Sequence, residues 1–240
     1  MIDNNQAVVA KIRSMGYWRV VIRPPESEYQ KDRVANILDL PRIIERSKVS
    51  LRGWDFPHID RQSEIAIGST FVDQAIDWEG YVEYWRFYQS GQFLHLDGLK
   101  EDWMGEAKMF PDPQPLQPGT RLGVSSAMFR FTEIFEFASR LALTPAGSKT
   151  LVIQIDLNGL AGRSLWVDSP NHRRFSHQHT ASVNTFQHEQ EYRTEDLAST
   201  AWDLALPPAI ELYRRFGWDV TLGMVRDLQL ELKKPHYSGA

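Results

Sequence analysis

The residues best placed to do chemistry are histidines. His172, His177 and His179 lie close together, with Asp168 before them and His188 after. In an extended segment His177 and His179 point the same way, a spacing that can chelate zinc or another divalent ion. A metal-assisted hydrolase or nuclease would use His172, His177 and His179 as ligands, with Glu189 or Glu191 as general base. Against this, no Asp or His stands at a spacing that completes a known site, and Arg173 and Arg174 would repel a cation. The plainer reading is a solvated loop, or a basic spot of His172, Arg173 and Arg174 that contacts an acidic partner.

A second cluster is His95, Asp97, Glu101 and Asp102. Phe93, His95 and Asp97 share one face of a strand, so a nearby carboxylate could orient His95 as an acid–base pair. No nucleophile accompanies it. Ser90, Ser125 and Ser126 have no elbow motif around them. A hydrogen-bonded structural histidine accounts for the pattern as well. His58 and Asp60 lie in a loop with Trp54, Phe56 and Pro57, which either closes over a ligand or is pinned to the core by its two aromatics. Neither a dinucleotide-binding GxGxxG nor a phosphate-binding P-loop occurs. No cofactor is expected.

The third candidate is the aromatic hairpin from Tyr81 to Leu96. Tyr81, Glu83, Trp85 and Phe87 share one side; Val82, Tyr84, Arg86 and Tyr88 share the other. A one-sided sheet would show a polar face, and this strand nearly lacks one. Either it is a recognition platform of Tyr84, Trp85, Arg86 and Tyr88, aided by Trp54 and Phe56, or it is a central strand covered on both faces. In the second case Arg86 stacks on a neighbouring ring.

These candidates must be positioned by ordinary elements. A chain of 240 residues with 42% apolar and 24% charged residues has material for a core. Lys and Arg total 27 against 31 Asp and Glu, so net charge does not indicate nucleic acid as a partner. There is no cysteine, which excludes disulfides, zinc–thiolate sites and a Cys nucleophile. No apolar run is long enough to span a bilayer, and the N-terminus does not read as a signal peptide, so the expectation is no membrane and a cytoplasmic location.

The pattern predicts a short helix over 7–15, a strand over 17–23 stopped by Pro24-Pro25, and two helical pieces divided at Pro41, the first capped by Asp32. A short strand is expected over 49–54, and the type of 69–78 stays open. The hairpin turn is either a two-residue loop at Ser90-Gly91 or a type I turn with Gly91 as the left-handed bulge residue. A helix over 127–143 is capped by Ser126, with Phe129 and Phe137 widening its apolar stripe. A strand over 149–157 turns at Asn158-Gly159 into a returning strand over 163–167. A strand over 183–192 follows, then helices begun by Thr194 and by Pro207-Pro208, and a last element over 222–232 that is a helix capped by Thr221 or, from Val225, Arg226 and Leu228 to Leu230, a strand. This is an α+β chain with a largely antiparallel sheet built from hairpins and packed with helices. It reads as one domain over 1–240; the four prolines of 110–119 favour an extended chain that is either a subdivision or a loop laid across the surface of that domain.

Three strings resemble a region of uncharacterised bacterial proteins, some of which carry it beside a Schlafen-type AlbA-like domain. They are Ser50-Leu51-Arg52-Gly53-Trp54 with Pro57, the run from Glu83 to Phe93, and the run from Phe131 to Ala138. The resemblance implies a bacterial accessory or sensing module working with a partner. It brings no catalytic residues. The leading expectation is a non-catalytic module that binds a protein partner; the alternatives are the metal-assisted hydrolase and a small-ligand sensor with a pocket walled by Trp85, Phe87 and the helix of Phe131 and Phe137.

Overall fold

The computed structural model describes residues 4–109, 116–169 and 172–233. In chain order the elements are α1 (Asn4–Arg13), β1 (Tyr17–Arg23), α2 (Leu40–Ser47), β2 (Ala66–Ile67), β3 (Phe71–Trp78), β4 (Tyr81–Tyr88), β5 (Phe93–Gly98), α3 (Lys100–Trp103), β6 (Arg121–Gly123) and α4 (Val124–Ala142). They continue with β7 (Thr150–Asn158), β8 (Ser164–Trp166), β9 (Thr185–Arg193), α5 (Thr194–Leu204), α6 (Leu206–Arg215) and α7 (Leu222–Leu230). The fold is α+β, as the hairpin pattern predicts.

Seven strands form one antiparallel sheet in the order β2-β3-β4-β5-β1-β7-β9. β1 lies between β5 and β7, so strands from both sides of the proline-rich segment join one sheet. Residues 110–115 of that segment lie outside the described residues.

Directly paired residues share a sheet face. One face therefore carries Trp85, Phe87, Phe93, Val20, Ile22, Ile153 and Ile155. It buries these against Phe131, Phe135 and Phe137 of α4 in the main core. α4 is buried nearly all round, because α2, α5, α6 and α7 cover the sides the sheet leaves open. The other face of β4 and β5 is covered by α1, which packs Val8 and Ile12 on Val82, Tyr84 and Leu96. The hairpin's double-sided apolar pattern is thus that of a covered central strand.

Local chemistry explains the turns. Gly91 has φ +85° and donates its amide to Tyr88 O, while Tyr88 N reaches Gln92 O. This is the type I turn with a glycine bulge. At the β3–β4 turn Glu79 and Gly80 both have positive φ, which matches the twist of the flanking strands. That turn pairs Trp78 with Tyr81.

Several expectations are corrected. The segment 69–78, whose type the sequence leaves open, holds strand β3 from Phe71 to Trp78. The expected strand over 49–54 reduces to a single bridge between Val49 and Phe56. Asp32 caps no helix; the Asn36 side chain accepts the Leu38 amide hydrogen instead, and α2 begins at Leu40 with Pro41 in its first turn. The Asn158-Gly159 turn does not return a hairpin. β7 pairs with β9, and β8 pairs in parallel with β6. Arg163, just after this turn, folds inward to Asp102 in a buried ion pair and donates back to Gly159 O. Ser126 does not cap α4; the Asp168 carboxylate accepts the Ser125 and Ser126 amide hydrogens at 2.7 and 2.8 Å. Thr194 donates its hydroxyl to Ser148 O rather than capping α5. Thr221 does cap α7, accepting from Met224 N.

Candidate functional site

Antiparallel pairing of β4 and β5 sets Glu83 directly opposite Asp97 on the buried face. Two carboxylates so placed repel each other and need cations. The register supplies His95 on the same face as Asp97, with Nε2 2.8 Å from Glu83 Oε1. α4 supplies Arg130, which lies 2.7 Å from Asp97 and 3.1 Å from Glu133 one turn on. The loop before β2 supplies Arg52, which donates to both Glu133 oxygens at 2.7 and 2.9 Å. Glu83 also accepts from Trp54 Nε1 and from the His58 amide. The three strings singled out in the sequence therefore meet: Arg52 and Trp54 from the first, Glu83 from the second, Glu133 from the third.

This network is buried. Glu133 and His95 have no exposed area, and Asp97 and Arg130 are 8% exposed. Burial alone would push the Glu83 carboxyl up, but His95 and Arg130 outweigh it and hold it below the usual glutamate range. Asp97 goes the other way. Burial and the facing Glu83 raise it, only partly offset by Arg130. Burial would lower the Arg130 guanidinium, but Asp97, Glu133 and Glu83 hold it above its ordinary value. Glu101 is raised by burial too, with the Gly123 amide donating to it at 2.6 Å as a partial offset.

Above the network lies a cavity of about 140 Å³. Trp18, Trp54 and Tyr81 wall it, and Arg52, Asp97, Glu101, Lys100 and Arg130 line it. Trp54 stacks on His58 at 3.7 Å between ring centroids and on Tyr81 at 4.0 Å. Trp78 lies parallel to it at 5.9 Å and is half exposed. Two wider clefts, of about 840 and 710 Å³, open on either side of the Trp54–Trp78 pair. Lys100 donates to Tyr81 OH at 2.8 Å and sits over the Tyr81 ring. Trp54 is thus common to all three spaces.

The other expected site residues fare differently. Phe56 and Trp85 have no exposed area and Tyr84 is 5% exposed, so none of them presents a contact surface. Phe56 packs among Phe93, His95 and Phe137, which pins the loop to the core. Tyr84 donates to Asp73 under α1, and Arg86 pairs with the same carboxylate while stacking on Phe71 at 3.9 Å. Tyr88 is half-buried beside Phe71. A pocket walled by Trp85, Phe87, Phe131 and Phe137 does not exist, because these rings fill the core against one another. Arg173 and Arg174 are exposed.

The histidines do not assemble. Among the described residues no three His, Asp or Glu side chains come together as metal ligands. His172 lies 3.0 Å from Glu231, and His188 is on β9 beside Tyr192. His177 and His179 do adjoin, at 4.4 Å between rings, but Nδ1 of His179 is 3.2 Å from Gly217 O. Arg173 and Arg174 of the same loop are exposed.

Residue patterning missed Arg130, Arg52 and Lys100. One signal was present: a helix apolar on more than one side has to bury Arg130 and Glu133 with it. Compared with known protein families, with curated proteins and with solved structures, the chain matches none.

Proposed function

We propose that the protein is a small-ligand-binding module, a sensor, with the Trp54 cleft as its site. The observation that carries this reading is the buried ion network flooring an aromatic-walled cavity. Such a network contributes little net stability, since well-packed apolar residues often serve as well. Ionisable groups held in a cleft with shifted proton affinities are better explained by what they meet there. The half-exposed face of Trp78 suits a ring, with Trp54 already stacked between His58 and Tyr81, and Lys100, Arg52 and Asp97 suit its polar substituents. In keeping with the resemblance, the module acts as an accessory part of a bacterial cytosolic system. The leading expectation of protein binding loses the support of the 81–96 hairpin, because both faces of β4 are covered.

The test is a panel of sugars, nucleosides and amino-acid derivatives, screened by thermal shift against the wild type, Trp78→Ala and Lys100→Ala. Both substituted side chains are at the rim and leave the core intact. A true ligand at one hundred times its Kd stabilises by about 2.7 kcal/mol, and either variant is expected to lose most of that shift. Ligands that stabilise all three proteins equally, or none that stabilises the wild type, would refute the site.

A second reading is acid–base catalysis in the same cavity, favoured by Asp97 and Glu101 lining one space with both carboxyls raised. Turnover of a bound ligand, followed by NMR and abolished in Glu101→Gln, would replace the sensor with an enzyme.

A further inference from the structure

We infer that a second pocket, at the start of α4, binds an amphipathic carboxylate: a hydrocarbon body with one anionic head. The pocket encloses about 450 Å³. Val124, Val167, Phe175, Trp218 and Leu228 make its apolar lining. Phe175 and Trp218 meet edge to face at 5.0 Å, and Trp218 packs in turn on Tyr213 of α6, so the wall is anchored to the core. This lining accepts hydrocarbon and offers it few polar partners.

The head group is assigned by the rim. Arg173 and Arg174 line the pocket, are exposed, and form no ion pair among the described residues. Asp227 is the carboxylate in the lining, so two arginines stand against one aspartate. His172 Nε2 lies 3.0 Å from Glu231 Oε1. A guanidinium presents a planar fork of donors that matches a carboxylate, and two of them against the single Asp227 leave a net positive charge that favours one anion. Ser125 lines the pocket, is 4% exposed, and its hydroxyl has no partner. An orphaned buried hydroxyl is costly, and this one lies beneath the pocket surface, so the arginines alone assign the head group. The α4 amides themselves contribute nothing, because Asp168 already accepts from Ser125 N and Ser126 N.

A bare acidic peptide would need only the arginines and would leave the apolar volume empty. The proposal therefore commits to a ligand with a body.

Titration calorimetry with decanoate, decanol and acetate tests it, each below any micelle concentration. Decanoate is expected to bind saturably at one site, decanol at least tenfold more weakly, and acetate not at all. In an Arg173→Ala/Arg174→Ala double variant, whose altered side chains are exposed, decanoate is expected to fall to within twofold of decanol. Decanol binding as tightly as decanoate in the wild type, decanoate failing to saturate, or a double variant that binds decanoate unchanged would each overturn the assignment. Trp78→Ala and Lys100→Ala are expected to leave decanoate binding unchanged, which separates this pocket from the Trp54 cleft; loss of binding in either would merge the two and overturn it as well.

Discussion

Glu101 accepts the Gly123 amide hydrogen in a buried position, with Asp168 and Asp102 near enough to oppose its charge. Its carboxyl is raised from 4.5 in the fold, chiefly by burial. The folded chain therefore holds this proton more tightly than the unfolded chain does. The stability linked to it is fully present below about pH 4.5 and is lost as pH rises through the folded value. Glu101→Gln keeps an acceptor for Gly123 but has no charge to bury. Its stability relative to the wild type is expected to climb with pH above that point and then level off, as read by urea denaturation across pH 4 to 8. A difference that is flat in pH, or that falls, would contradict the burial argument. Glu101 and His95 were visible in the sequence as ionisable neighbours in chain order. Their actual partners, Gly123 and Glu83, were not, because Gly123 comes from beyond the proline-rich segment and Glu83 is met only through the register across the hairpin.

At the scale of the element, α4 shows how a cap can come from elsewhere. Its helical span and apolar character were legible, since Met128, Phe131, Ile134, Phe135 and Leu141 recur at helical spacing. Its start was misread. Ser126 has the side chain of a cap, yet it lies inside the helix, and Asp168 from the chain after β8 receives the first free amide hydrogens. A carboxylate there satisfies two orphaned donors and faces the positive end of the helix dipole. Asp168→Ala is expected to cost about 1–2 kcal/mol, whereas Ser126→Ala stays within about 0.5 kcal/mol. Chemical denaturation of the two variants decides it. Equal losses would return the cap to Ser126. Local signals failed here for a simple reason: a helix end needs acceptors, not acceptors from its own neighbours in sequence.

For the whole molecule, the central fact is that β1 joins what the proline segment divides. It is registered with β5 from Tyr17 to Ile22 and with β7 from Tyr17 to Arg23. A protease site placed at 112–114 and then cut is expected to leave the two fragments co-eluting in gel filtration, separating only in denaturant. Fragments that part in native buffer would mean two domains. The sequence by itself determined the classes of element, the α+β character, the covered nature of the hairpin strand as one of two readings, and the exclusion of thiol chemistry. These follow from periodicity and composition, which act along the chain. Tertiary structure alone decided that β7 meets β9, that the histidines gather into no three-ligand cluster among the described residues, and that Arg52, Glu83, Asp97, Arg130 and Glu133 converge under Trp54. Charges brought from separate segments into a low-dielectric interior must pair, and which ones meet depends on strand register and helix placement rather than on spacing in the chain.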